Sequence, residues 1–131
     1  MVSDLEKVLL IMSLCSRFKD MRLSDIQRLI IPPLKLGQYR IYNDEEVLTG
    51  FASWALLSDD LSEEYKNTNY KLQVKDWNNG DNLWLINVLC PMGGGSVVLR
   101  RLDKLRKEMG LSKRVNFKRL GSNRVNNVKR I

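Results

Sequence analysis

The sequence predicts an α+β fold, with a mostly antiparallel central sheet flanked by helices. Three features point there. Leu83 to Leu89 is an apolar run without clean alternation, as expected of a central strand covered on both faces. Gln38 to Tyr42 and Val47 to Leu57 are two strand-like runs joined by the polar turn Asn43-Asp44-Glu45-Glu46, which reads as an antiparallel hairpin. Apolar residues at helical spacing lie on either side of these runs. At 131 residues the chain has the size of a single domain, 1–131.

The elements follow in order. Ser3-Asp4-Leu5-Glu6 has the form of a capping box, in which Ser3 accepts from the backbone at Glu6 and Glu6 reaches back. Leu5, Val8, Leu9 and Met12 then predict a first helix over about 4–15. Ser24-Asp25 reads as a second cap, followed by Ile26, Leu29 and Ile30, with Pro32-Pro33 expected to stop the helix. After the hairpin, Ser58-Asp59-Asp60 opens an acidic helical stretch ending near Asn67, and Asn78-Asn79-Gly80-Asp81 is a turn. Pro91-Met92-Gly93-Gly94-Gly95-Ser96 joins the buried strand to an amphipathic helix over about 97–109, closed by Gly110. Arg114-Val115-Asn116-Phe117-Lys118 predicts a strand with Val115 and Phe117 inward, and Arg124 to Ile131 a short strand pairing back on it.

Composition narrows the chemistry. The chain has no histidine, which removes the Ser-His-Asp triad, the Cys-His dyad and every zinc site that needs imidazole. Its two cysteines, Cys15 and Cys90, are too few for a four-thiolate metal site. Without a secretory leader they read as reduced and cytoplasmic. The longest early apolar run, Val8 to Met12, is far short of the roughly 20 residues that a membrane span needs. Charge is unevenly placed. Residues 99–131 hold 12 Lys/Arg against two acids, whereas the remainder holds 10 against 13. A slightly acidic body with a strongly basic last quarter points to an anionic partner, either an acidic protein or a nucleoprotein, with nucleic acid itself or a membrane surface as further candidates.

Three stretches resemble one known family. They are Pro32-Pro33-Leu34-Lys35-Leu36-Gly37-Gln38-Tyr39, Phe51-Ala52-Ser53-Trp54-Ala55-Leu56-Leu57-Ser58, and Asp76-Trp77-Asn78-Asn79-Gly80-Asp81-Asn82-Leu83-Trp84 followed by Pro91-Met92-Gly93. Over roughly residues 5–110 the chain resembles the toxin-activating lysine acyltransferases, which fatty-acylate pore-forming RTX toxins. The tail matches poorly. The resemblance implies a fold similar to the GNAT acetyltransferases, an acyl carrier protein thioester as acyl donor, a protein lysine as acceptor, and homodimers. It also gives the glycine turn weight as a cofactor-binding element. Backbone N–H groups at Gly93, Gly94, Gly95 and Ser96, at a helix start, suit a pyrophosphate or phosphopantetheine arm. Too short for a P-loop, the same turn on its own reads as a flexible connection.

The departures from the family are equally informative. The family uses a His just after the first helix, where this chain has Phe18, and an Asp three residues after the motif Trp, where it has Asn87. Phe cannot move a proton, and Asn cannot carry the charge that orients a base. Cys15, close to Phe18 and beside Arg17 and Lys19, is the candidate replacement catalytic residue. Its alternative reading, as a small core hydrophobe, is the preferred one. Asp76 suits a turn cap, and Trp54, Trp77 and Trp84 suit packing.

The first functional reading is therefore a pseudoenzyme. It keeps the acyltransferase scaffold and grips an anionic partner through Arg100, Arg101, Arg106, Lys113, Arg114, Lys118, Arg119, Arg124, Lys129 and Arg130. Its size and charge suit an inhibitor carried by a phage or mobile element against a host system. The alternative is an active transferase moving a fatty acyl group from acyl carrier protein to a protein lysine, using Cys15 or proximity alone. For nucleic acid, the tail offers cations but only Phe117 for stacking, so single-strand platforms are disfavoured.

Overall fold

A computed structural model describes residues 3–91, 93, 95–111, 114–118 and 128–130. The order is α1 (Asp4–Ser13), α2 (Leu23–Leu29), α3 (Ile31–Leu36), β1 (Tyr39–Asp44), β2 (Val47–Leu57), α4 (Asp59–Asn67), a short 3₁₀ helix (Val74–Asp76), β3 (Asn82–Leu89), α5 (Gly95–Glu108), β4 (Asn116–Lys118) and β5 (Val128–Arg130). The strands form one sheet in sequential order, β1-β2-β3-β4-β5. All neighbours are antiparallel except β3 and β4, which run parallel through Trp84↔Asn116 and Leu85↔Phe117. This is the α+β, GNAT-like architecture the sequence predicts. No helix among the described residues is long and apolar enough to cross a membrane.

Helix α1 starts as its capping box dictates, with Ser3 Oγ accepting from the Glu6 amide at 3.2 Å. The second helix differs from expectation. It starts at Leu23 on Arg22 without a side-chain cap, so Ser24 lies inside its first turn rather than at its boundary. The prolines differ too. Pro32 and Pro33 sit in the first turn of α3 and begin a helix rather than only ending one. A first turn has no intrahelical acceptor for its N–H groups, so the missing proline donor costs nothing there. Gly110 closes α5 at φ 75°, as expected.

Helices cover both faces of the sheet. On one face Ala52, Trp54, Leu83 and Leu85 pack with Val98 and Leu102 of α5 and with Val115. Phe117 joins them from β4, so the inward placement of Val115 and Phe117 holds. On the other face Phe51 and Leu89 meet Val8, Ile11 and Met12 of α1, and Ala55, Leu57 and Trp84 meet Leu72 and Trp77 beside α4. Strand alternation assigns these faces, with one interruption in β3. Ser53 pairs with Asn87 and Trp54 with Leu85, which leaves Ile86 as an extra residue. This bulge turns Ile86 and Asn87 toward the same face, the one carrying α1 to α4.

The motif residues turn out to be structural ties. Gln38 precedes β1, is buried, and donates from Nε2 to the Trp54 carbonyl at 2.9 Å and the Trp77 carbonyl at 3.0 Å. Asp76 accepts from Tyr70 Oη at 2.5 Å and from the Gln73 amide at 2.7 Å, capping its turn as expected. All three tryptophans are buried. Gly80 is required because a Cβ there would lie 2.3 Å from the Leu57 carbonyl oxygen. Gly80→Ala should therefore lower stability by about 1–3 kcal/mol, the usual cost of forcing backbone apart in a packed site. A thermal melt superimposable on the parent's would contradict this.

Candidate functional site

Phe18 and Asn87, the two positions that the resemblance sets against a catalytic His and Asp, face one cleft. Phe18, in the turn after α1, and Asn87, at the β3 bulge, both line an open pocket of ≈320 Å³. Leu29, Leu72 and Ile86 supply its apolar wall, and Arg28, Lys71 and Lys118 its charge. The bulge matters here, because it aims Ile86 and Asn87 into the cleft together. Asn87 is buried at 2% exposure and donates from Nδ2 to the Leu29 carbonyl at 2.9 Å and to Ser53 Oγ at 2.7 Å. Its amide thus bridges α2 to β2, a role that needs a donor and that a carboxylate cannot fill.

Tyr65 and Tyr70 also line the cleft. Burial pushes the Tyr65 phenol up to about 12. The Tyr70 phenol, donating to Asp76, is likewise raised to about 12. Both stay neutral at physiological pH and cannot serve as bases. The Arg28 guanidinium is engaged by the Leu72 carbonyl at 3.1 Å and the Asp25 carboxylate at 3.4 Å. Lys118 stands with Nζ 3.8 Å from the centroid of the Tyr65 ring and 3.3 Å from the Thr68 carbonyl oxygen. No carboxylate, imidazole or thiol is among these lining residues.

Cys15 does not complete the cleft. It packs beside Phe18 and Met21 against the α1–β2 cluster. Burial pushes its thiol pKa up, which is the reverse of the activation expected from Arg17 and Lys19. Cys90, after β3, is also raised by burial. These facts favour the core reading of both thiols.

The second candidate region lies on the opposite face. Gly93 lines a groove of ≈370 Å³ with Tyr42, Thr49, Cys90, Val98 and Arg101. Gly95 opens α5 itself, two residues earlier than expected, so part of the glycine turn is the first helical turn. Gly94 lies outside the described residues, as does the side chain of Ser96. A neighbouring groove of ≈210 Å³ is lined by Arg40, Tyr42, Arg101, Lys104 and Glu108, together with apolar residues of α5. Arg40 stacks 5.3 Å from the centroid of the Trp54 ring, and Arg101 5.2 Å from that of Tyr42.

The predicted basic anchors divide accordingly. Arg100, Arg101 and Arg114 are exposed. Arg106 is not: at 9% exposure it pairs with Asp103 at 2.9 Å and donates to the Leu111 carbonyl at 2.8 Å. The Arg106 Nε hydrogen bond to Asp103 holds the Asp103 carboxyl below its ordinary range. Arg106 therefore fastens the end of α5 and is not an exposed anchor. Lys118 faces the cleft instead of the basic surface. Lys113, Arg119 and Arg124 lie outside the described residues, as do the side chains of Lys129 and Arg130. Sequence reasoning missed Arg40, which is far from the tail in sequence and joins it only through the β1–α5 contact.

Comparison with known proteins gives one family. The profile of the RTX toxin acyltransferase (HlyC) family matches residues 2–131, extending past the 5–110 that carried the motifs. The RTX-II toxin-activating lysine-acyltransferase ApxIIC of Actinobacillus pleuropneumoniae is 29% identical over 73 residues, 56% of this chain and 46% of that protein. The leukotoxin-activating lysine-acyltransferase LtxC of Aggregatibacter actinomycetemcomitans is 32% identical over 75 residues, 57% of this chain and 45% of its own. An uncharacterized protein of Synechocystis is 27% identical over 100 residues, 75% of this chain and 68% of that one. The matched stretch spans about half the length of the toxin-activating relatives. With the family profile running from residue 2 to residue 131, the chain belongs to the RTX toxin acyltransferase family.

Proposed function

We propose that the chain is a catalytically degenerate acyltransferase-fold protein that acts by binding an anionic partner through the basic face of α5 and β1. The observation that carries this reading is the cleft shared by Phe18 and Asn87. Where proton transfer and orientation of a base would be needed, it presents a phenyl ring and an amide whose donor is already used. The two neutral phenols and the engaged Arg28 do not replace them.

Arg40, Arg100, Arg101 and Lys104 are exposed on the partner face, and aromatic stacking holds two of them in place. The partner with the strongest argument is an acyl carrier protein. It is acidic, and it is the donor that family membership brings with it. Complementary charge would speed encounter and hold the register.

Incubation with long-chain acyl carrier protein, followed by intact mass, tests the loss of chemistry. At most one acyl equivalent per chain should leave the carrier, and Cys15→Ala should behave as the parent. Sustained turnover, abolished by Cys15→Ala, would overturn the degenerate reading. Binding tests the partner. Affinity should fall with added salt, and Arg40→Glu with Arg101→Glu should weaken it by roughly tenfold. Affinity indifferent to both would exclude this face.

A further inference from the structure

We propose that Lys118 is an internal acyl acceptor, whose ε-amine takes one acyl group from a thioester brought to the Phe18–Asn87 cleft. This rests on the preceding reading only for a thioester as the reagent, because the proposed docking face of α5 and β1 lies across the sheet from the cleft. The geometry of the amine is independent of it.

Position comes first. Lys71 and Lys118 both line the cleft, but Lys71 is exposed and Lys118 is half-buried. The Lys118 head is held at one point by the Tyr65 ring at 3.8 Å and the Thr68 carbonyl at 3.3 Å. β4 also ties its backbone beside β3, through Leu85↔Phe117. A nucleophile fixed at the wall of a cleft reacts with a bound electrophile as an intramolecular group.

Protonation is the second argument. Only the neutral amine attacks. Burial lowers the Lys118 pKa from its ordinary value, so more of it is neutral at a given pH than for an exposed lysine. The third argument is charge. The described lining residues include Arg28, Lys71 and Lys118 and no carboxylate. A lysine arriving from another protein would bring a fourth cation into this cleft, whereas Lys118 is already there. With Lys118 neutral in the attack, Arg28 and Lys71 remain as cations to steady the oxyanion that forms on the thioester carbonyl.

The step balances without further reagents. The Lys118 nitrogen attacks the thioester carbonyl carbon and a C–N bond forms. The C–S bond breaks, and the thiolate leaves and takes up, through water, the proton the amine loses. The products are an amide and a free thiol. None of the described lining residues offers a base to hydrolyse that amide, so the reaction stops at one acyl group per chain.

The test uses the full chain with two donors, a small thioester (S-octanoyl-N-acetylcysteamine) and myristoylated acyl carrier protein. Products are read by intact mass and peptide mapping. One acyl group should appear on Lys118, at least roughly tenfold faster than on any other lysine, as expected of a positioned, partly desolvated amine. Lys118→Arg keeps the charge and the stacking on Tyr65, and should abolish the preferred adduct with the circular dichroism spectrum unchanged. The rate at Lys118 should rise and level off at lower pH than at exposed lysines. Acylation spread evenly over the lysines, or absent from Lys118 with the small thioester, would overturn the proposal. Reaction with the small thioester but not with the carrier protein would uphold Lys118 as acceptor and count only against carrier docking. More than one equivalent released per chain would count only against the loss of turnover.

Discussion

Trp77→Ala should cost about 3–5 kcal/mol, the largest effect of any single truncation expected here. Trp77 is fully buried and packs with Leu57, Leu72 and Trp84. Its Nε1 donates to the Arg28 carbonyl at 3.1 Å, tying the 3₁₀ turn to α2. Its own carbonyl accepts from Gln38 Nε2 and from the Leu56 amide at 2.9 Å. Removing the indole leaves a cavity and an unpaired carbonyl in α2, the helix that supplies Arg28 and Leu29 to the cleft. Trp77→Phe separates the two losses. It keeps most of the ring and loses the donor, so it should cost nearer 1–3 kcal/mol. Chemical denaturation of both variants decides the matter. Equal losses would show that packing is minor beside the hydrogen bond.

Asn87→Asp should destabilise the fold by about 2–4 kcal/mol at neutral pH, although Asp is the residue that the resemblance leads one to expect there. The Asn87 donor serves two oxygens, the Leu29 carbonyl and Ser53 Oγ. Ser53 can turn its hydroxyl toward the new carboxylate, but the Leu29 carbonyl cannot donate. A buried charge would then face a carbonyl oxygen. Burial raises a carboxyl pKa, so the folded state binds the proton more tightly than the unfolded state does. The deficit should therefore shrink as pH falls toward the ordinary carboxylate range. Melts of parent and variant across pH 4–8 (an interval chosen to bracket roughly that range) read this directly. A deficit constant with pH would contradict the account. The expectation also bears on function. Asn87 is built into the fold as a donor, so a carboxylate at this position would require Ser53 and the α2 carbonyl to be rearranged together.

Much of the fold was legible before any coordinates. The Ser3 cap, the hairpin from β1 to β2, the buried character of β3 and the pairing of the tail strands all follow local rules of capping, alternation and turn chemistry. The errors were also local in origin. Pro32-Pro33 obeys two rules, as the end of one helix and the start of another. Only the position of Ile30, whose amide still bonds to the Ile26 carbonyl, separates them. Arg106 was grouped with its exposed neighbours because composition does not say which face of α5 turns inward.

The candidate site divides in the same way. Sequence by itself determined the family and the absence of histidine, and its motif spacing nominated Phe18 and Asn87, because residue identity along a chain is a one-dimensional fact. Tertiary structure alone decided that these two positions share a cleft, that Cys15 stays outside it, and that Lys118 enters it over Tyr65. The physical reason is the β3 bulge and the parallel β3–β4 pairing. A single unpaired residue reverses which face a strand presents, and a long-range pairing brings the tail beside it. Neither leaves a periodic trace in the chain.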